Sequence, residues 1–147
     1  MNDDMKFRRV IVPSLPSPMT SHHPHCVIAK GIIFVSGLVS ELRPDGLRIG
    51  VQESGSTKVH DFRSQIRSIF CQLDLILDHA DSDKTLVVDV QVFLRNLHQN
   101  FPVMNEEYGQ YFGSAVPART TVEVVRFPSD VVVELKVIAL TRGTIGV

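Results

Sequence analysis

Arg119 and Glu134, fifteen positions apart, have the types and settings best suited to chemistry in this sequence. Arg119 follows Pro117-Ala118 and leads into a β-branched run. A guanidinium placed there can hold a carboxylate through two parallel, charge-assisted hydrogen bonds. It can equally serve as one half of an ion pair at a strand end. Glu134 interrupts a stretch that is otherwise Val131-Val132-Val133 and Leu135-Lys136-Val137-Ile138-Ala139. A carboxylate in so apolar a strand is paired, water-facing or functional, because burying it alone is expensive. Partial burial would raise its pKa and let it hold or deprotonate a water near neutral pH. A salt bridge to Lys136 or to a neighbouring strand is the plainer alternative.

His22, His23 and His25 cluster beside Cys26, and imidazole with thiolate is a common zinc donor set. Successive side chains on an extended segment point to opposite sides, however, and no second Cys/His pair follows at metal spacing. No metal is expected. The cluster reads as a solvated loop or as a metal-free role for one residue, best His25, since an imidazole titrates near neutrality. Cys71 falls in a helical pattern between Phe70 and Leu73 and is expected to pack, and with Cys26 it makes two reduced thiols. Ser36-Gly37 lacks the flanking glycines of a nucleophile elbow. Gly50 and Gly55 make neither a P-loop nor a dinucleotide fingerprint, which sets aside phosphoryl transfer and nicotinamide chemistry.

The elements that must position these residues follow from periodicity. Phe62, Ile66, Ile69, Phe70, Leu73, Ile76 and Leu77 recur at helical spacing between Asp61 and His79. Asn100 to Phe112 repeats the pattern more weakly, with Pro102 suited to a first turn. Val27 to Ala29 and Ile32 to Val35 form a hairpin about Lys30-Gly31, and Pro44-Asp45-Gly46 is a turn. Leu86 to Leu94 alternates, with Val88, Val90, Val92 and Leu94 on one face. Thr120 to Phe127 and Val131 to Thr141 close the chain. Pleat parity puts Glu134 with Val132, Lys136, Ile138 and Leu140. The order predicts an α+β domain: one mixed sheet with two helices on one face. The other face, apolar and uncovered, is expected to bury against further copies of the chain.

Residues 1–147 read as a single domain, with residues 1–23 an amino-terminal strand and a Pro/Ser-rich loop. The net charge of −1 gives no footprint for nucleic acid or an anionic membrane surface. Apolar runs are strand-sized, the acidic start resembles no secretory signal, and the cytoplasm is the expected location.

Phe34-Val35-Ser36-Gly37, Asn105-Glu106-Glu107-Tyr108, Pro117 to Val124 and Glu134 to Ala139 resemble the RidA/YjgF family in order and spacing. The likeness runs from about Pro24 to Ala139. It implies a chorismate-mutase-like fold, a homotrimer with active sites between subunits, and deamination of enamines or imines without metal or organic cofactor. It further implies that Arg119 grips the substrate carboxylate, that Glu134 positions the attacking water, and that Asn105, Ser36, Gly37 and Leu38 line the cleft. Where generalist members carry Gly-Pro-Tyr-Ser-Gln this chain has Ser21-His22-His23-Pro24-His25, and it has Leu38 and Thr121 where Gln and Cys are usual. Pro24-His25, Arg43-Pro44-Asp45 and Asp61 to Arg67 are similar to the 2-aminomuconate deaminase subgroup. That resemblance implies a small dicarboxylate substrate from aromatic degradation, with a second clamp at Arg63, Arg67 or a neighbouring subunit. His25 would move the proton.

Overall fold

Asp61 starts the long helix by a local device. Its extended backbone turns the carboxylate onto Ser64, accepting from the backbone N–H at 3.3 Å and from the hydroxyl at 2.5 Å. Helix α1 then runs Phe62–His79. Its predicted apolar stripe is buried throughout, while Cys71 is exposed, against expectation. One residue past Phe70 turns the side chain about 100° around the axis, out of the stripe. The computed structural model describes residues 6–16 and 22–144, so residues 17–21, which include part of the Pro/Ser-rich segment, and both chain ends lie outside it.

Helix α2, Leu97–Phe112, begins three residues earlier than the pattern suggests. Asn96 stands before it in the left-handed region (φ 52°) and supplies no side-chain cap. The cap comes from elsewhere: the Glu123 carboxylate accepts the Leu97 N–H at 2.7 Å. Pro102 therefore sits inside the helix, where it forgoes one backbone bond.

Six strands form the main sheet: β1 Phe7–Val10, β2 Cys26–Ala29, β3 Ile32–Val35, β6 Val87–Leu94, β7 Ala118–Glu123 and β8 Val133–Leu140. Their order is β1-β2-β3-β8-β6-β7, with β6 and β7 parallel and every other pair antiparallel. Lys30 and Gly31 both take positive φ, as a two-residue hairpin requires. A separate ribbon, β4 Val51–Ser54 with β5 Thr57–His60, was not predicted; only Val51 of it is buried. A register shift between Val87 and Asp89 turns Val88 outward to 42% exposure, removing it from the face of Val90, Val92 and Leu94.

Val133, Leu135, Val137 and Ala139 of β8 are fully buried in the one core shared with α1 and α2. The alternate residues Glu134, Lys136, Ile138 and Leu140 face the opposite way, half-exposed. Beside them lie Phe34, opposite Ile138, and Phe93, opposite Glu134. The sheet thus has one covered and one open face, as the element order implied. Among the described residues, no helix is long and apolar enough to cross a membrane.

Candidate active site

Glu134 lies on the open face of β8, half-buried. Burial raises its carboxyl pKa above the usual value, and among the described residues no cation offsets it. Lys136, the alternative partner, instead donates to the Val35 carbonyl at 2.5 Å. Directly after β3 the chain crosses β8: Leu38 and Leu135 exchange two backbone hydrogen bonds of 2.9 and 3.0 Å. That crossing lays Gly37 on the Glu134 carboxylate so closely that a Cβ at position 37 would overlap Oε1. Ser36 fixes the approach, its hydroxyl donating to the Pro24 carbonyl at 2.7 Å. Ser36, Gly37 and Leu38 also wall a pocket of about 140 Å³, with Ser40, Arg48 and Gln72 among the other lining residues. Leu38 contributes to that wall mainly through its backbone, because its side chain belongs to the core.

His25 borders the same pocket but is itself buried. Its Nδ1 accepts the Val12 N–H at 3.0 Å, which puts the ring proton on Nε2, 3.1 Å from the Pro16 carbonyl. Both nitrogens are engaged with backbone. The expected proton carrier is, in this arrangement, the pin that holds the segment from Val12 to Pro16 against β2. His22 and His23 are exposed, His25 and Cys26 are inside, and among the described residues no three ligating groups gather as a metal would need. Burial pushes the Cys26 thiol up to about 11.

Arg119 occupies a different part of the molecule. It is the second residue of β7, within the strand rather than ahead of it. Its guanidinium lies 4.8 Å from the Tyr108 ring and 5.8 Å from Phe101, both on α2. Asn105, exposed between them along that helix, shares the neighbourhood. Arg119 pairs with Val90, which pairs with Val137, so it points to the helix-covered face while Glu134 points to the open one. Two strand spacings and three residues along the strand put their Cα atoms roughly 14 Å apart. One chain does not bring the two to one small substrate. Ser36, Gly37, His25 and Glu134 form one group; Arg119 and Asn105 form another.

The Endoribonuclease L-PSP family model matches residues 14–141. The chain belongs to that family, which includes RidA/YjgF and RutC proteins. A RutC family protein of Pyrococcus horikoshii is 37% identical over 130 residues, covering 88% of this chain and 94% of that protein. A protein of Dermatophagoides farinae named 2-iminobutanoate/2-iminopropanoate deaminase is 25% identical, over 92% of this chain and 98% of its own. The crystal structure of yeast Mmf1 superposes with a TM-score of 0.77 at 26% identity, covering 92% of this chain and 99% of the other.

Within this L-PSP family chain, the two arginines expected as a second clamp are committed elsewhere. Arg67 donates to Glu107 at 2.8 and 3.0 Å, and Arg63 reaches both Glu107 and Glu106. They tie α1 to α2 over a carboxylate whose side chain is only 4% exposed, and the Arg67 hydrogen bonds lead in holding its pKa down. Sequence reasoning missed Arg48, whose place in the pocket depends on the turn at Pro44-Asp45-Gly46. Tyr108 and Thr121 were named there only within the family pattern; that their buried hydroxyls have no hydrogen-bond partner in the described structure was not foreseen. Pleat parity on β7 would have placed Thr121 beside Arg119.

Proposed function

We propose that the chain is a hydrolytic deaminase of 2-imino acids and their enamine tautomers, working without metal or organic cofactor. The observation that carries this reading is the Glu134 carboxylate, half-buried, raised in pKa by burial, and packed against Gly37, which itself lines a pocket. A base so placed takes a proton from water as the oxygen attacks the imine carbon. It then passes that proton to the nitrogen, and the tetrahedral carbinolamine collapses to a 2-oxo acid and ammonia. Arg119, exposed on β7 over the Tyr108 ring, would grip the carboxylate next to the reacting carbon. The separation within one chain favours a site completed between copies. The open face, with Phe34 at 37% and Ile32 at 36% exposure, is a suitable surface for a homotrimer.

For the substrate we favour 2-aminomuconate or a related dicarboxylate, on the strength of the residues at 21–25, 38 and 121. The relative named for 2-iminobutanoate supports a generalist activity as the second reading. The family description refers to RNA cleavage, but a chain of net charge −1 gives phosphate binding no electrostatic support.

Glu134→Gln tests the chemistry. Its kcat is expected to fall about 10²- to 10⁴-fold, the usual worth of a positioned general base. In the wild type, kcat/KM declines as pH drops through the raised Glu134 pKa, because only the carboxylate accepts a proton. The variant loses that acid limb. Wild-type turnover by Glu134→Gln would remove the water-activating role, and ligand binding without ammonia release across an enamine panel would point to a non-catalytic binder.

A further inference from the structure

Lys136 shares the open face of β8 with Glu134, two residues further along the strand, so their Cα atoms are about 7 Å apart. Like Glu134 it is half-buried, and burial lowers its ammonium pKa just as burial raises that of the carboxylate. The two do not pair, and neither contributes to the other's shift. An ammonium has three N–H donors. Among the described residues the side chain of Lys136 has one partner, the Val35 carbonyl, which takes one of them at 2.5 Å. That contact holds the head group where the chain leaves β3 for Gly37, the residue packed against Glu134. Across β6 the neighbour of Lys136 is Gln91, exposed and uncharged, while the acid Asp89 stands on the diagonal, opposite Ile138, and makes no ion pair with it. The ammonium has thus given up part of its water without gaining a counter-charge. Arg63 and Arg67, by contrast, are held by Glu106 and Glu107 between the helices, and Arg119 faces the other side of the sheet.

We propose that Lys136 binds the second carboxylate of a dicarboxylic substrate whose imine carbon lies over Glu134, and so selects two-headed acids over one-headed ones. This rests on the deaminase reading above and names the residue behind its substrate class. Base and cation stand on one face of one strand, so a short dicarboxylate laid along β8 meets both at once. Its far carboxylate takes the donors that the Val35 carbonyl leaves over and supplies the missing counter-charge. An acid without that second group leaves the half-buried ammonium as it was, and gains nothing from it.

The experiment compares 2-aminomuconate with 2-iminobutanoate, the latter generated in situ, on the wild type, Lys136→Gln and Lys136→Arg. The ratio of kcat/KM for the dicarboxylate over the monocarboxylate is expected to fall about tenfold in Lys136→Gln, the size of one charged hydrogen-bonded contact. Lys136→Arg, which keeps the charge, should recover part of that ratio. An unchanged ratio in Lys136→Gln, including an equal loss on both substrates, overturns the proposal while leaving the deaminase reading standing. Turnover of neither substrate by the wild type refutes the deaminase reading instead, and binding then decides the role of Lys136. Calorimetric titration with muconate and sorbate, the same carbon chain with and without the second carboxylate, needs no turnover. Muconate should bind the wild type more tightly than sorbate, with the preference reduced about tenfold in Lys136→Gln. Should Lys136→Gln fail to fold, the wild-type titration alone decides, and sorbate binding as tightly as muconate overturns the assignment.

Discussion

A methyl group at position 37 would run into the carboxylate of Glu134. Gly37 does not take a positive φ, so its requirement is space rather than backbone freedom. Gly37→Ala is therefore expected to fold, to push the Glu134 carboxylate aside and to lower kcat about 10²-fold, the cost of misplacing a reacting group by about 1 Å. Activity and thermal unfolding measured on one preparation separate a displaced carboxylate from a misfolded strap. At this scale the sequence was partly legible. Glu134 stands out because an acid inside an apolar strand demands a reason, and Ser36-Gly37 could be picked out by resemblance. The engagement of His25 could not be foreseen, because its partners are backbone groups of Val12 and Pro16, thirteen and nine residues back. Side-chain type says nothing about which main-chain atoms will arrive.

Elements were legible where their causes are local. Helix α1 carries its cap and its stripe in its own residues, and was read almost to the residue. Helix α2 was read late because its amino end is closed by Glu123, 26 residues downstream. The β4–β5 ribbon was missed because, Val51 apart, its residues are largely exposed and show no buried face. The two helices are joined by Glu107 beneath Arg63 and Arg67. The Glu107 pKa is lower folded than unfolded, so its stabilisation is fully present above the unfolded carboxylate range and is lost as pH falls through the folded value. Glu107→Ala should cost about 1–3 kcal/mol at neutral pH, less than a fully buried pair because both arginines can return to water. Its stability should also depend less on pH in the acid range, which chemical denaturation at pH 7 and pH 4 would show.

For the whole molecule, the mixed sheet with both helices on one face followed from the order of elements. The relation between Arg119 and Glu134 did not. Parity assigns alternate residues to alternate faces within a strand, but the register between β7, β6 and β8 decides which set faces the helices. That register puts the pair on opposite sides. If copies complete one another, Arg119→Ala and Glu134→Gln, each nearly inactive alone, should regain activity when unfolded and refolded together. Random mixing in a trimer gives about a quarter of the sites both intact groups. Recovery with equimolar mixing, absent when the two variants are only combined folded, is the expected result; no recovery after joint refolding would place both groups within one chain's own site.

The carboxylate that closes the start of α2 belongs to the strand that follows the helix, and this bears on the order in which the chain can fold. With Pro102 inside and no cap of its own, α2 is a poor helix in isolation. Its first turn becomes complete only when Glu123 arrives, and Glu123 is held in place by the pairing of β7 with β6. Helix and strand must therefore condense together, so that on a growing chain the first turn of α2 stays loose until the residues that end β7 have been made.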